Sequence, residues 1–156
     1  MSFPVASRSP EDTAAIAATL APLLRAGDVV TLSGDLAAGK TTFVQGLVGA
    51  LGGAERPTSP TFGIAQFYDT PLCAVLHVDA YRLTGAAAFR DLGLDRYADD
   101  ALMLIEWGEI VESEFPDRLS VAFAFGDGDA RMLSFTAHGA RWRERAGAIE
   151  QKLGAR

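Results

Sequence analysis

One ten-residue stretch, GDLAAGKTTF at residues 34–43, constrains the fold of this chain more than any other feature. Gly34, Gly39, Lys40 and Thr41 meet the pattern G-x-x-x-x-G-K-[ST]. In such a loop the backbone N–H groups surround a phosphate, the lysine reaches the β and γ oxygens, and the hydroxyl binds Mg²⁺. The stretch therefore predicts a nucleotide-phosphate site at a strand-to-helix junction.

The residues on either side of the loop agree with that junction. Residues 28–33 are rich in β-branched side chains and predict a buried strand. A helix is expected from Lys40 to about Leu51, where Gly52 follows as a stop. Lys40 also stands out because the chain has only two lysines, against twelve arginines. The local order is therefore strand, glycine loop, helix.

The remaining elements are predicted from periodicity and from turn residues. Ser9 and Pro10 indicate a helix start, and that helix is expected to run to about Arg25, with Gly27 as its stop. Further strands are expected at 62–68, 74–79, 101–106, 118–125 and 131–137, with helices at 84–92 and 141–153. We predict a single α/β domain over residues 1–156, with the P-loop NTPase fold. Its sheet is parallel at the centre with added antiparallel strands, and helices cover both faces.

Two carboxylates close two of the predicted strands. Asp79 ends one apolar run and Glu106 ends another. The carboxyl ends of parallel strands gather on the side of the sheet where ligands bind, so both acids can face a γ-phosphate. Phosphoryl chemistry needs an acid for the metal and a group that places the nucleophile. Two acids therefore imply two roles.

Composition narrows the setting in which the chain works. It is 49% hydrophobic and 22% charged, which is typical of a soluble globular protein. The amino terminus lacks a signal-peptide pattern and no apolar run is long enough to span a membrane, so a cytoplasmic location is expected. The only cysteine, Cys73, cannot form an internal disulfide. A net charge of −6 argues against general nucleic-acid binding.

Several classes of phosphate-loop protein stay open on the residues alone. The chain contains no asparagine, so it lacks the Asn-Lys-x-Asp segment with which common GTPases read guanine. A small-molecule kinase is an alternative, with Arg82, Arg90 and Arg96 as candidate lid residues. A module that senses ATP without hydrolysing it is another. A zinc-type metal site from His77, Asp79 and His138 lacks ligand spacing and is not expected.

Further segments occur in a recognisable order around the loop. They are SPEDTAAIAATLA at 9–21, SPTF at 59–62, HVDAYRL at 77–83 and IEWGE at 105–109. Together with the loop, they resemble the bacterial TsaE family over about residues 9–125. The resemblance implies a protein that binds ATP and Mg²⁺ and hydrolyses ATP slowly by itself. It also implies action with TsaB and TsaD in threonylcarbamoylation of adenosine 37 of tRNA, with tRNA contacted only through the complex.

The resemblance also assigns residues to roles. Lys40, Asp79 and Glu106 are implied as catalytic, with Glu106 completing the Mg²⁺ shell and Asp79 placing water, although these two roles can be exchanged. The implied metal ligands are Thr41, Glu106 and Thr61. The implied nucleotide contacts are Gly34, Asp35, Leu36, Ala37, Ala38, Gly39, Lys40, Thr41, Thr42 and Thr13. The segments 59–62 and 81–82 are candidate first and second switches.

Four other positions carry expectations that a structure can test. The family usually has glycine where Ala37 stands, and alanine costs on the order of 1 kcal/mol there if φ is positive. Gly108 stands where proline is frequent and is expected to loosen the chain. Trp107 is assigned to packing or to a partner interface. The basic run 141–145 is expected to be mainly a solvated helix face.

Overall fold

The computed structural model describes residues 1–58 and 64–156. Its strands are β1 Ser2–Ser7, β2 Val29–Ser33, β3 Ala65–Asp69, β4 Ala74–Asp79, β5 Ala101–Glu106, β6 Arg118–Phe125 and β7 Arg131–His138. Its α-helices are α1 Pro10–Leu20, α2 Lys40–Ala50, α3 Ala86–Asp91 and α4 Ala140–Gly154. Short 3₁₀ turns lie at Ala21–Leu23, Leu94–Tyr97, Gly108–Ile110 and Glu112–Glu114.

The described strands form one sheet in the order β1-β7-β6-β2-β5-β4-β3. The pairs β2–β6, β2–β5 and β4–β5 are parallel, whereas β1–β7, β6–β7 and β3–β4 are antiparallel. The predicted arrangement, a parallel centre with antiparallel strands added, is therefore confirmed. It places the carboxyl ends of β2, β4 and β5 at one edge of the sheet.

The two faces of the sheet are covered differently. Helices α1, α2 and α4 pack on one face, where Ile16, Phe43 and Trp142 join one apolar core. Helix α3 and the 3₁₀ turns cover the other face, where Phe89 packs edge-on against Phe115. The prediction of helices on both faces is confirmed, and the long helices all lie on one of them.

Strand β1 was not predicted from the sequence. Phe3 and Ser7 are buried in it, and the strand pairs with β7 along the edge of the sheet. Pro4 lies inside the run and weakens a strand prediction because proline cannot donate to the ladder. An edge position tolerates such a residue, since one side of the strand has no neighbouring strand.

Helix α1 begins as predicted and ends earlier. Ser9 is its N-cap, with Oγ accepting from the Asp12 N–H at 3.0 Å. The helix stops at Leu20 and continues as the 3₁₀ turn rather than to Arg25. Pro22 explains the difference, because it has no backbone N–H with which to continue the α-helical hydrogen bonds.

The prediction of a mainly solvated run at 141–145 is wrong for two of its members. Trp142 is buried in the core beneath α4. Arg145 donates from Nη1 and Nη2 to the two oxygens of Asp28, each at 2.8 Å, and also donates to the Leu23 carbonyl. Asp28 is almost fully buried at the amino end of β2. This end of the sheet lies opposite the loop, so Arg145 is structural.

We expect Arg145→Met to lower the free energy of unfolding by about 2 kcal/mol, because Asp28 would stay buried without its bidentate partner. Urea titration monitored by circular dichroism measures the change. Arg143→Met on the same helix removes an exposed arginine and should change stability by less than about 0.5 kcal/mol. Equal effects of the two substitutions would contradict a structural role for the Asp28 pair.

Within the described part of the chain, no helix combines the length and the apolarity that a membrane crossing needs.

Candidate nucleotide-binding site

The loop of residues 34–39 joins the end of β2 to the start of α2, as predicted. Gly34 and Gly39 have φ of 137° and 109°, a region that disfavours side chains. A Cβ atom on Gly34 would lie 2.7 Å from the Phe123 carbonyl oxygen. Glycine is therefore required at Gly34 by both backbone conformation and space.

Ala37 has φ of 63°, so the condition under which alanine is expected to be strained at this position is met. A left-handed alanine brings its Cβ close to the following carbonyl oxygen. The chain keeps the loop conformation in spite of this local cost.

Ala37→Gly should raise the free energy of unfolding by about 0.5–1 kcal/mol, because it removes this strain. Chemical denaturation of the purified protein measures the difference. Ala50→Gly, at an exposed position in α2, should have the opposite sign, since glycine weakens a helix. Destabilisation by Ala37→Gly would contradict the strain.

Lys40 begins α2 and is buried against the loop. Its Nζ donates to the Asp35 carbonyl at 3.0 Å and to the Gly34 carbonyl. Burial lowers the pKa of the Lys40 ammonium, and the nearby Glu106 carboxylate opposes that effect. The ammonium therefore sits at the loop, where a phosphate would be surrounded by backbone N–H groups.

Glu106 and Asp79 are direct neighbours at the carboxyl edge of the sheet. They are opposite each other in the parallel register of β4 and β5. Thr41 Oγ1 lies 3.1 Å from each carboxylate oxygen of Glu106. Asp79 Oδ1 accepts from the Tyr81 N–H at 3.0 Å, which fixes the chain turn after β4. The predicted convergence of the two acids on the loop is thus present.

His77 contacts the same carboxylate from within the sheet. Its Nε2 lies 2.6 Å from Glu106 Oε2, and its side chain is fully buried. This fits the expectation of a packed residue behind the site. His77, Asp79 and His138 do not form a zinc-type metal site. His77 and Asp79 lie on β4, whereas His138 lies on β7, opposite Arg118 of β6. No group of three His, Cys, Asp or Glu residues in the described ranges could hold a metal.

Trp107 forms an aromatic wall of the site. The Lys40 Nζ lies 3.9 Å from the centre of its ring, and Tyr81 packs against it at 5.0 Å between ring centroids. The indole adopts this position with a left-handed backbone, φ 59°. Sequence reasoning assigned Trp107 to packing or an interface and missed its contact with Lys40. Its position directly after Glu106 was the available signal.

The prediction that Gly108 loosens the chain is wrong. Gly108 is buried, and a Cβ atom there would lie 2.4 Å from Thr31 Cβ. The residue therefore allows the turn after β5 to lie directly on β2. Because Gly108 lies against Thr31, the preceding residue, Trp107, is held at the site.

Two cavities flank the loop. The larger has a volume of about 360 Å³ and is lined by Leu36, Ala37, Ala38, Gly39, Lys40, Thr41, Thr42, Asp79, Tyr81, Glu106 and Trp107. The smaller, of about 80 Å³, is lined by Pro10, Thr13, Ala37, Ala38, Gly39, Thr42, Asp129 and Arg131. Most of the predicted nucleotide contacts therefore line one cavity or both.

Thr13 and Arg131 border the smaller cavity. Thr13 Oγ1 is 2.6 Å from Ser7 Oγ, and its methyl group lies beside Gly39. Arg131 Nη2 is 3.4 Å from the Ala37 carbonyl oxygen, and the guanidinium packs over Phe125. The sequence analysis did not identify Arg131, because only the fold brings the β6–β7 hairpin to the loop.

The candidate lid arginines do not lie over the loop, and the candidate first switch is not described. Arg90 pairs with Glu114 at 2.6 Å, and Arg96 packs over Tyr97, so neither is placed over the loop. Arg82 is exposed and does not line the larger cavity. The first-switch segment 59–62, including the candidate metal ligand Thr61, lies outside the described residues.

The chemistry of this donor set suits Mg²⁺. Thr41 supplies a hydroxyl oxygen and Glu106 a carboxylate, and the two converge at 3.1 Å. Mg²⁺ takes oxygen ligands and is usually held by one or two carboxylates together with phosphate oxygens. Thr41 and Glu106 are therefore the residues that fit such an ion.

The fold and the loop together define an α/β protein of the P-loop class. The family model described as "Threonylcarbamoyl adenosine biosynthesis protein TsaE" matches residues 7–133. The chain belongs to the TsaE family, which is involved in tRNA threonylcarbamoyladenosine biosynthesis.

Individual relatives agree with that membership. The tRNA threonylcarbamoyladenosine biosynthesis protein TsaE of Bacillus subtilis is 40% identical over 86% of this chain and 85% of its own length. The protein of the same name from Streptomyces coelicolor is 44% identical over 79% and 88%. The crystal structure of B. subtilis YdiB superposes with a TM-score of 0.80 at 33% identity, covering 97% of this chain and 95% of that one.

Proposed function

We propose that this protein is a Mg²⁺-dependent ATPase that supports TsaB and TsaD in the threonylcarbamoylation of adenosine 37 of tRNA. The observation that carries the proposal is the contact between Thr41 and Glu106 at the carboxyl edge of the sheet, with Asp79 directly beside it. A hydroxyl and two acids meet there at the start of a helix behind a glycine loop. That combination suits a metal-bound triphosphate.

Each residue of the site has a distinct part in this proposal. The loop N–H groups and the positive end of α2 bind phosphate, and the Lys40 ammonium pairs with the β and γ oxygens. Thr41 and Glu106 hold Mg²⁺, which neutralises charge that develops on the phosphate oxygens. Asp79 lies on the neighbouring strand and orients the attacking water. The contact of Glu106 with Thr41 favours this division of roles over its exchange.

The assembly role rests on family membership and on charge. Relatives are named for tRNA threonylcarbamoyladenosine biosynthesis. The net charge of −6 is poorly suited to holding tRNA directly, so we place tRNA contact with the partner proteins. ATP hydrolysis by this chain would then support turnover of the assembly in the cytoplasm.

Release of ADP and of free phosphate from MgATP tests this function. Both are measured for the chain alone, with the TsaB–TsaD pair, and with a panel of small hydroxyl acceptors. Equal amounts of ADP and phosphate, rising with the pair, are expected. ADP without matching phosphate, formed only with an acceptor, would indicate a kinase. Nucleotide binding without either product would indicate a sensing module.

A further inference from the structure

A buried histidine stands directly behind the carboxylate that contacts Thr41. His77 lies on β4 and is fully buried, while Glu106 lies on β5 with a nearly buried side chain. Their contact, Nε2 to Oε2 at 2.6 Å, links two neighbouring strands of the parallel centre. The same carboxylate also accepts from Thr41 Oγ1, so we assign Nε2 as the donor in this contact.

This contact fixes a bond rotation that the backbone leaves open. The terminal torsion of a glutamate is broad, so neighbours decide the plane of the carboxylate. Thr41 Oγ1 is equidistant from Oε1 and Oε2 and does not distinguish them. The short contact from His77 involves Oε2 alone and therefore breaks that equivalence.

The other ring nitrogen shows that packing alone does not explain His77. Its Nδ1 is buried and has no hydrogen-bond partner among the described residues. A buried polar atom without a partner destabilises the folded protein, and an apolar side chain of similar size would avoid that cost. The imidazole is thus unfavourable for the core and useful to Glu106.

We propose that His77 is a positioning residue that holds the Glu106 carboxylate toward Thr41 and thereby sets the Mg²⁺ affinity of the site. This inference rests on the proposed function, because Mg²⁺ affinity matters only if the site binds a metal–nucleotide complex. Partners of this kind, which orient a ligand from behind, typically change metal affinity by 10–100-fold when removed.

Substitution of His77 by glutamine or by asparagine provides a matched pair of variants. The side-chain nitrogen of glutamine reaches about as far as Nε2, whereas that of asparagine reaches only as far as Nδ1. His77→Gln can therefore donate to Glu106 and His77→Asn cannot. His77→Leu removes both nitrogens. The core then loses the unpartnered Nδ1 while Glu106 loses its donor, and because these effects oppose each other the urea midpoint should stay close to that of the wild type.

The first experiment measures binding of a fluorescent ADP analogue as Mg²⁺ is titrated, together with urea stability of each variant. His77→Asn and His77→Leu should raise the Mg²⁺ concentration for half-maximal binding at least tenfold, and His77→Gln by less than about threefold. Metal-free binding of the analogue should be unchanged. Wild-type Mg²⁺ dependence in all three variants would overturn the proposal. So would a loss of Mg²⁺ affinity that correlates with the urea stability of the variants and not with the presence of a donor to Glu106.

A second experiment separates this inference from the proposed function. The chain has two histidines, so ¹⁵N-histidine spectra of the metal-free protein resolve His77 from His138. We expect a protonated Nε2 on His77, and its signals should shift in Glu106→Gln while those of His138 stay. Unchanged His77 signals would overturn the contact. Failure of the wild type to bind MgADP or MgATP would reject the function and leave this spectroscopic result valid.

Discussion

Glu106→Ala is expected to reduce ATP hydrolysis at least about a hundredfold while nucleotide still binds. The Glu106 carboxylate contacts Thr41 and is the acid best placed to hold Mg²⁺, so its removal takes away charge neutralisation at the phosphates. The loop N–H groups and Lys40 remain in place and continue to bind phosphate. The binding that survives should have lost its dependence on Mg²⁺.

Asp79→Ala separates the two acids. Asp79 lies beside Glu106 in the strand register and does not have the Thr41 contact. If it orients water, its removal should lower hydrolysis by a similar factor and leave the Mg²⁺ dependence of binding intact. Phosphate release and Mg²⁺-titrated nucleotide binding, measured on both variants, decide between the assignments.

Glu144→Ala serves as the control for charge, since it removes an exposed carboxylate on α4. It should hydrolyse ATP at the wild-type rate. Hydrolysis by both acid variants at that rate would contradict the proposed site. Loss of Mg²⁺ dependence in Asp79→Ala alone would exchange the two roles.

The sequence could predict the central part of this site because its information is local. The loop motif specifies a strand before it and a helix after it, and both are present as β2 and α2. Asp79 and Glu106 each end an apolar strand, and parallel pairing then brings them to the same edge. Motif spacing and one topological rule were therefore sufficient to predict their convergence.

Contacts between distant segments could not be predicted in this way. Arg145 and Asp28 are 117 residues apart, and Arg131 and Ala37 are 94 apart. No pattern in a short window marks either pair, because their proximity depends on how α4 and the β6–β7 hairpin pack. Arg145 was consequently interpreted as part of a solvated face.

The second large effect is expected at Gly46 in α2, which lies directly against the backbone of Ala14 in α1. A Cβ atom at Gly46 would lie 2.4 Å from the Ala14 carbonyl oxygen and 2.7 Å from its Cα. Both atoms belong to backbone, so the clash can be relieved only by moving a helix. Gly46→Ala should therefore lower the free energy of unfolding by about 3 kcal/mol.

Gly49 offers a matched control on the same helix. It is exposed, and a Cβ atom there would meet nothing within 4 Å. Gly49→Ala should stabilise the protein by about 0.5–1 kcal/mol, because alanine is the better helix former. Urea midpoints of the two variants test the contrast, and stabilisation by both would show that α1 can move away at little cost.

The same substitution should also affect the site. Since α2 begins with Lys40 and Thr41, and α1 carries Thr13, a forced shift between these helices should weaken nucleotide binding in Gly46→Ala and leave it unchanged in Gly49→Ala.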